Sequence, residues 1–245
     1  TVTLVYEDRE YPERSWVATG VEIDVQGTSS QWYPRKNFKT KCKQGFTMTA
    51  TGEHADKVAI FEEEIPVNVF CFKADFAESS GVHNTGMARL IDYILRGMGF
   101  LTEAQKADPR VRTTVNGRPS VMWHQTSEDD ERTSLGKYNF NNDKSTNETF
   151  GFKAGCESWE ILNNTSDRVL FKRSDYITVD SEGNIEWLKD FEARYPDENE
   201  DYTNLKRLTD WLVSVKDNPT KFRAEADQYL DMNFMLSYYT ITELF

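Results

Sequence analysis

The sequence predicts an α+β protein, with a β-rich front spanning residues 1–172 and a helical back spanning residues 173–245. Three observations carry that expectation. Short runs rich in β-branched and aromatic residues, separated by turn residues, fill the first 80 positions. One apolar stripe of helical period follows at about residues 85–98, and the last third returns to that period. With 38% hydrophobic and 13% aromatic residues, the 245-residue chain has material for a core.

The strands are read in order. Val2–Tyr6, Trp16–Val25, Asn37–Lys43 and Thr47–Ala50 come first, then Val58–Phe61 and Val67–Phe76 on either side of Pro66. Met87, Leu90, Ile91, Ile94, Leu95 and Met98 form one helical stripe, which Gly97 and Gly99 are placed to end. Thr113–Val115, Asn116-Gly117 and Val121–Gln125 read as a hairpin on a type I′ turn. Strands at Tyr138–Phe140, Phe150–Lys153 and Trp159–Leu162 complete the front, and Glu128-Asp-Asp-Glu131 reads as a solvated loop.

A helix over Ile185–Tyr195 begins the back, carrying Trp187, Leu188 and Phe191. An acidic linker, Pro196–Asp201, leads to a second helix marked by Leu205, Leu208, Trp211, Leu212 and Val215 and closed before Pro219. A third runs from about Lys221 to the end through Tyr229, Leu230, Phe234, Tyr238, Ile241 and Phe245. The sequence starts at Thr1 without Met and stops inside this apolar pattern, which predicts a piece of a longer protein.

Charge and cysteine usage narrow the function. A net charge of −12 argues against nucleic acid as partner, because phosphate neutralisation needs a basic face. Mean hydropathy is −0.68, and no apolar run approaches the length of a membrane span. Cys42, Cys71 and Cys156 are odd in number and widely spaced, which fits a reducing compartment better than a disulfide framework. The sequons at Asn147 and Asn163 are short enough to arise by chance. Six Trp and eleven Tyr admit a carbohydrate-binding module, although most of them fall at core spacing.

Two stretches could carry chemistry. Val25–Lys41 combines a strand end, a Gly27-Thr-Ser-Ser30 turn and a basic strand. Ser29 and Ser30 with nearby backbone N–H groups make a candidate anion nest, and Lys36 and Lys39 add charge beside it. Alternation puts Asn37, Lys39 and Lys41 on one face and Lys36, Phe38 and Thr40 on the other. The same residues also read as a Ser-rich hairpin beside a solvated basic strand. Phe70–Asn84 leads into the first helix, where Ser79, Ser80 or Asn84 would cap an N-terminus suited to phosphate. Asp75-Phe-Ala77 matches only the first two residues of the kinase DFG triplet, and no HRD precedes it.

In chain order these segments resemble the CotH family of spore-coat kinases. Gly27-Thr-Ser-Ser30 with Tyr33-Pro-Arg-Lys-Asn-Phe-Lys39 is similar to the family's "RGNSS…PKKSYRLK" stretch. Phe72–Asn84 is similar to its "LxANYxDxSxxRN" segment, Thr114-Val-Asn-Gly117 to its "VYLNGEYxGxY" pair, and Phe234–Glu243 to its "YFLFNELT" helix. Phe72–Ser80, Gly136–Asp143 and Trp159–Asn164 resemble CotH-like proteins carried as virion structural genes by phages.

The resemblance implies an atypical protein-kinase-like two-lobe fold, here a fragment, that transfers the γ-phosphate of ATP to protein Ser/Thr with Mg²⁺. It makes Lys36 or Lys39 the phosphate-binding cation, with Ser29 and Ser30 nearby and Asn84 matching the family asparagine. Its partners would be a protein substrate or virion proteins, in a virion, bacterial cytoplasm or spore coat. The family's arginine and asparagine are Gln26 and Thr28 here, and Arg118-Pro-Ser-Val lacks "EYxG". The family's metal and catalytic aspartates lie beyond its "NELT" helix, so the resemblance assigns no catalytic aspartate in this sequence. The alternative it carries is a non-catalytic virion structural or attachment protein that reuses the fold.

Overall fold

A computed structural model of the chain describes residues 1–27, 29–81, 83–152, 156–161, 181–182, 191–197 and 199–244. It is mixed α+β, strands first and helices towards the C-terminus. Two compact units emerge, Thr1–Gly151 and Phe152–Leu244. Residue 172, the expected boundary, lies outside the described residues.

The first unit is a curled antiparallel sheet, a half-barrel. Its strands are β1 (Val2–Tyr6), β2 (Trp16–Gln26), β3 (Asn37–Lys41), β4 (Phe46–Met48), β5 (His54–Ala55), β6 (Val69–Lys73), β7 (Gly117–His124) and β8 (Thr133–Asn142). They run in the order β5-β4-β2-β3-β6-β8-β7, with β1 also on β2. The curl comes from β2. Its first residues, Trp16 and Val17, pair with both β1 and β4, whereas Glu22–Gln26 pair with β3. Gly20 lies between the two stretches at φ +61°, a left-handed conformation that favours glycine at the bend.

Register puts an aromatic row across the inner face. Phe38 faces Phe72, Phe72 faces Phe140, and Phe140 faces Arg118. Phe72 and Phe140 stack at 5.1 Å, Phe70 and Phe140 lie 4.9 Å apart, and Trp16 meets Phe46 edge-on at 4.8 Å. These rings, with Ala18, Val21, Val67 and Tyr138, form the core.

Arg118 ends that row as a cation aimed inward, and it needs a partner. Its Nη1 donates to Asp8 Oδ2 at 2.8 Å and to the Tyr6 hydroxyl at 3.2 Å. Asp8 lies two residues past β1, so this pair ties the β7 edge to the β1 end of the sheet. Burial pushes the Asp8 carboxyl up, but the backbone N–H of Tyr11, the Arg118 guanidinium and the N–H of Glu10 outweigh it, and the net shift is downward. Burial also raises the Tyr6 phenol to about 12. Pro119, which has no N–H to give, is accommodated because β7 is an edge strand.

Helix α1 (His83–Gly97) matches the expected amphipathic helix, but its inward face is rotated from the apolar stripe. It buries Thr85, Ala88, Ile91, Asp92 and Leu95, while Met98 is exposed. Asp92 explains the rotation. Its Oδ2 accepts from Arg96 Nε at 2.8 Å and Arg112 Nη1 at 2.7 Å, and Arg112 Nε lies 3.3 Å from Glu64. Burial pushes the Glu64 carboxyl up despite the Asn116 amide and Arg112. A short helix, α2 (Glu103–Ala107), carries a full Thr102–Gln105 capping box and went unread in the sequence.

Several expectations are corrected. No hairpin turns at Asn116-Gly117: residues 113–115 are not a strand, and β7 starts at Gly117 to pair with β8. Asn116 is instead buried, its N–H on the Asn142 side chain and its amide on Glu64. Of the expected strand Phe150–Lys153, Phe150 instead closes a 3₁₀ turn over Asn147–Phe150, and residue 153 lies outside the described residues. The expected Ile185–Tyr195 helix is partly outside the described residues, and its last five residues form strand β10 (Phe191–Tyr195), paired with β9 (Ser158–Ile161).

Also in the second unit, α3 (Thr203–Val215) ends as expected before Pro219. The long third helix is broken into α4 (Pro219–Glu225), a 3₁₀ turn at Ala226–Gln228, and α5 (Met232–Leu244). Packing makes the break: Trp211 is stacked by Phe222 on one helix and by Tyr229 beyond it, at 5.6 and 4.5 Å.

Replacing Arg118 with Met should cost about 3–5 kcal/mol in denaturant unfolding, because it strands the Asp8 carboxylate. Asp8 is depressed in the folded state, so its contribution is present above the ordinary Asp value and is lost as pH falls through the lower folded value. The stability gap between wild type and variant should therefore narrow in acid. A gap that is small or independent of pH would contradict the latch.

Candidate functional site

The other face of the same strands is polar. The row there runs Asp24, Lys39, Cys71, Asn141 and Gly117, in register across β2, β3, β6, β8 and β7. Pleating dictates it, since Phe38, Phe72 and Phe140 one residue away all turn inward. β6 is consequently buried on both sides, with Phe70, Cys71 and Phe72 all covered. Polar groups under such cover need partners: Cys71 finds one in Asp143, whereas Asn141 Oδ1 is left without one among the described residues.

Asp143, one residue past β8 and 1% exposed, lies on the same face two residues beyond Asn141 and gathers the donors of that row. Its Oδ1 accepts from Lys39 Nζ at 2.9 Å and from the Ser145 N–H at 2.9 Å, and Ser145 Oγ also reaches it. Its Oδ2 accepts from the Cys71 thiol at 2.8 Å. Burial alone would raise this carboxyl; the Cys71, Ser145 and Lys39 donors reverse the sign and hold it well below the ordinary range. The Cys71 thiol moves the opposite way, pushed up to about 12 by burial and then by the Asp143 charge. Lys39 also bonds Ser145 Oγ at 3.1 Å and keeps 24% of its side chain exposed. Next to it, Lys73 Nζ donates to Gln26 Oε1.

A second polar chain runs from the loop before β3 to α1. Asn37 donates to Ser30 Oγ at 3.3 Å and accepts the Ala74 N–H at 2.8 Å. Asp75 leaves β6 at φ +44°, a left-handed conformation that Asp tolerates, and this aims its carboxylate between α1 and β8. It accepts there from Asn84 Nδ2 at 3.3 Å and from Asn139 Nδ2.

These contacts place the expected site residues. Ser30 and Asn84 lie on this second chain, and Lys39 lies on the Asp143 cluster. Ser29 starts the 3₁₀ turn Ser29–Trp32, and Thr28 lies outside the described residues. Lys36 donates to the Gln31 and Tyr33 carbonyls at 2.6 and 2.8 Å and closes its own loop. Asn84 sits inside α1 rather than capping it. The Glu78 carboxylate lies near the N-terminal end of the helix: its Oε1 accepts from the Ser80 hydroxyl and N–H, and these bonds, with the nearby Gly81 and His83 N–H groups, lower it.

Asp143 was missed by sequence reasoning, although one signal was available. In Asn139-Phe-Asn-Asn-Asp143 the period of two puts residue 143 on the face of Lys39 if the strand continues. Among the described residues, no group of three or more His, Cys, Asp or Glu is arranged to hold a metal ion, and no helix is long and apolar enough to cross a membrane. Comparison with known proteins gives no family model that matches the chain and no matching curated protein.

Asp143→Asn should destabilise the fold by about 3–5 kcal/mol at neutral pH, by leaving Lys39 without its counter-charge. It should also lower the Cys71 thiol value and speed its alkylation under native conditions. The stabilisation belongs to an acid with a depressed folded value. It is complete above the ordinary Asp value and lost below it, so the variant and wild type should converge in strong acid.

Proposed function

We propose that this chain is a non-catalytic assembly or attachment protein that reuses a CotH-like sheet, with its polar face serving structure rather than phosphoryl transfer. The observation that carries the reading is the Asp143 cluster. Lys39, the cation a nucleotide would need, is held by a buried carboxylate that is itself saturated by Cys71 and Ser145. Lys36 is spent on two carbonyls, and Glu78 lies near the α1 N-terminus. The residues present therefore do not fit Mg-ATP, whose phosphates would have to displace the Asp143 carboxylate from Lys39 and two backbone carbonyls from Lys36.

Exposed apolar side chains support the assembly half of the reading. On α5, Met235, Leu236, Tyr239 and Leu244 are 48–71% exposed, and on the β7 edge Val121 and Trp123 are 59% and 55% exposed. By the sequence resemblance, the partners would be virion proteins.

A second reading, the CotH-like kinase, draws on one observation: Lys39 stands on a central strand with part of its ammonium stem still open to solvent. Thermal-shift and calorimetric titration with Mg-ATP separates the two readings. The assembly reading expects no shift for wild type, Lys36→Ala or Lys39→Ala. A saturable shift in wild type that Lys39→Ala abolishes would replace it with the kinase reading.

A further inference from the structure

The second unit has a surface cleft of about 530 Å³ between α3 and the α4 segment, and its charge runs against that of the chain. Lys206, Arg207 and Lys221 line it with Asp210 and Glu225, in a protein of net charge −12. Asp210 is paired, accepting from Lys206 Nζ at 2.9 Å on Oδ1 and 2.8 Å on Oδ2, and Glu225 Oε2 accepts from the neutral Trp211 indole at 3.1 Å, which leaves the cleft one positive charge in excess.

Among the described residues, the two remaining cations have no carboxylate partner. Lys221 Nζ donates to Ser214 Oγ at 3.0 Å, and the Arg207 guanidinium lies 5.2 Å above the Tyr229 ring. Stacking on that ring, itself stacked on Trp211 at 4.5 Å, orients the guanidinium while leaving its edge N–H groups for a carboxylate. Seven residues of helix separate Arg207 from Ser214, so the two cationic points are about 10 Å apart along α3. That span calls for a ligand bearing several carboxylates rather than one small anion.

The chain presents such a ligand. The loop joining β7 to β8 carries Glu128, Asp129, Asp130 and Glu131, all exposed and, among the described residues, without a cationic partner. Its backbone is held in shape by Gln125, whose amide donates to the Glu128 and Asp130 carbonyls at 2.9 and 2.8 Å. Exposed Val121 and Trp123 flank it on β7 and supply apolar area to bury beside the charges.

From this complementarity we propose that the cleft receives the acidic 128–131 tip of a second copy of this chain. The contact is heterologous, tip to cleft, so each copy keeps one free tip and one free cleft, and the assembly grows as an open or ring-closing series. This assignment rests on the assembly reading and gives it a partner.

Sedimentation of the full chain with two charge-reversed variants tests it. Wild type should self-associate, and raising salt well above physiological strength should weaken association at least about tenfold. Glu128→Lys/Glu131→Lys and Arg207→Glu/Lys221→Glu should each be monomeric with native circular dichroism. Mixing the two variants should restore association, because the unaltered tip of the cleft variant meets the unaltered cleft of the tip variant. A wild type that stays monomeric at every concentration, or a mixture that does not associate, overturns the proposal. Nucleotide binding, by contrast, would overturn the assembly reading and leave this result standing.

Discussion

A strand buried on both faces, as β6 is at its centre, leaves the polar groups along it to find partners within the protein. Cys71, between Phe70 and Phe72, shows how tight the constraint is: the rings take the inner face, and the thiol is left against a carboxylate it must hydrogen-bond. Lys39 and Asp143 are consequences of the same geometry. Neither position is expensive once they meet, and each would be costly alone, since an ion removed from water without its partner loses several kcal/mol of hydration. The half-barrel's closure repeats the logic on the inner face, where Arg118 ends an aromatic row and finds Asp8.

This constraint bears on function. Positive charge on a strand resembles a phosphate site in sequence, and it is one only where the charge is left for the ligand. Here the competing carboxylate is supplied from the end of β8, about 100 residues later than the lysine it holds. At the start of α1 the competitor is Glu78, which comes from five residues upstream and lies near the helix terminus as a built-in anion. In both places, the protein answers its own electrostatic demand.

Local periodicity made much of the fold legible. β1, β2, β3, α1 and α3 follow directly from alternation or helical stripes and sit close to their expected bounds. What failed depended on distant partners. Asp92 reads as an outward charge until Arg112 is known to reach it, and Asn116-Gly117 reads as a turn until Asn142 claims Asn116. Phe191–Tyr195 has helix-compatible spacing, yet the strand Ser158–Ile161 pairs with it. The faces of β3 were legible, with Lys39 and Thr40 on opposite sides; the occupant of Lys39 was not.

The polar face depends on Asp143 and Lys39 being locked to each other in solution. Carbon-detected NMR of the Asp143 carboxyl, titrated with pH in the presence and absence of Mg-ATP, asks this directly. The account predicts that Asp143 stays ionised well below the ordinary carboxylate range and that its resonance ignores the nucleotide. An ordinary titration, or a nucleotide-dependent shift that moves with the Lys39 ammonium signal, would contradict it.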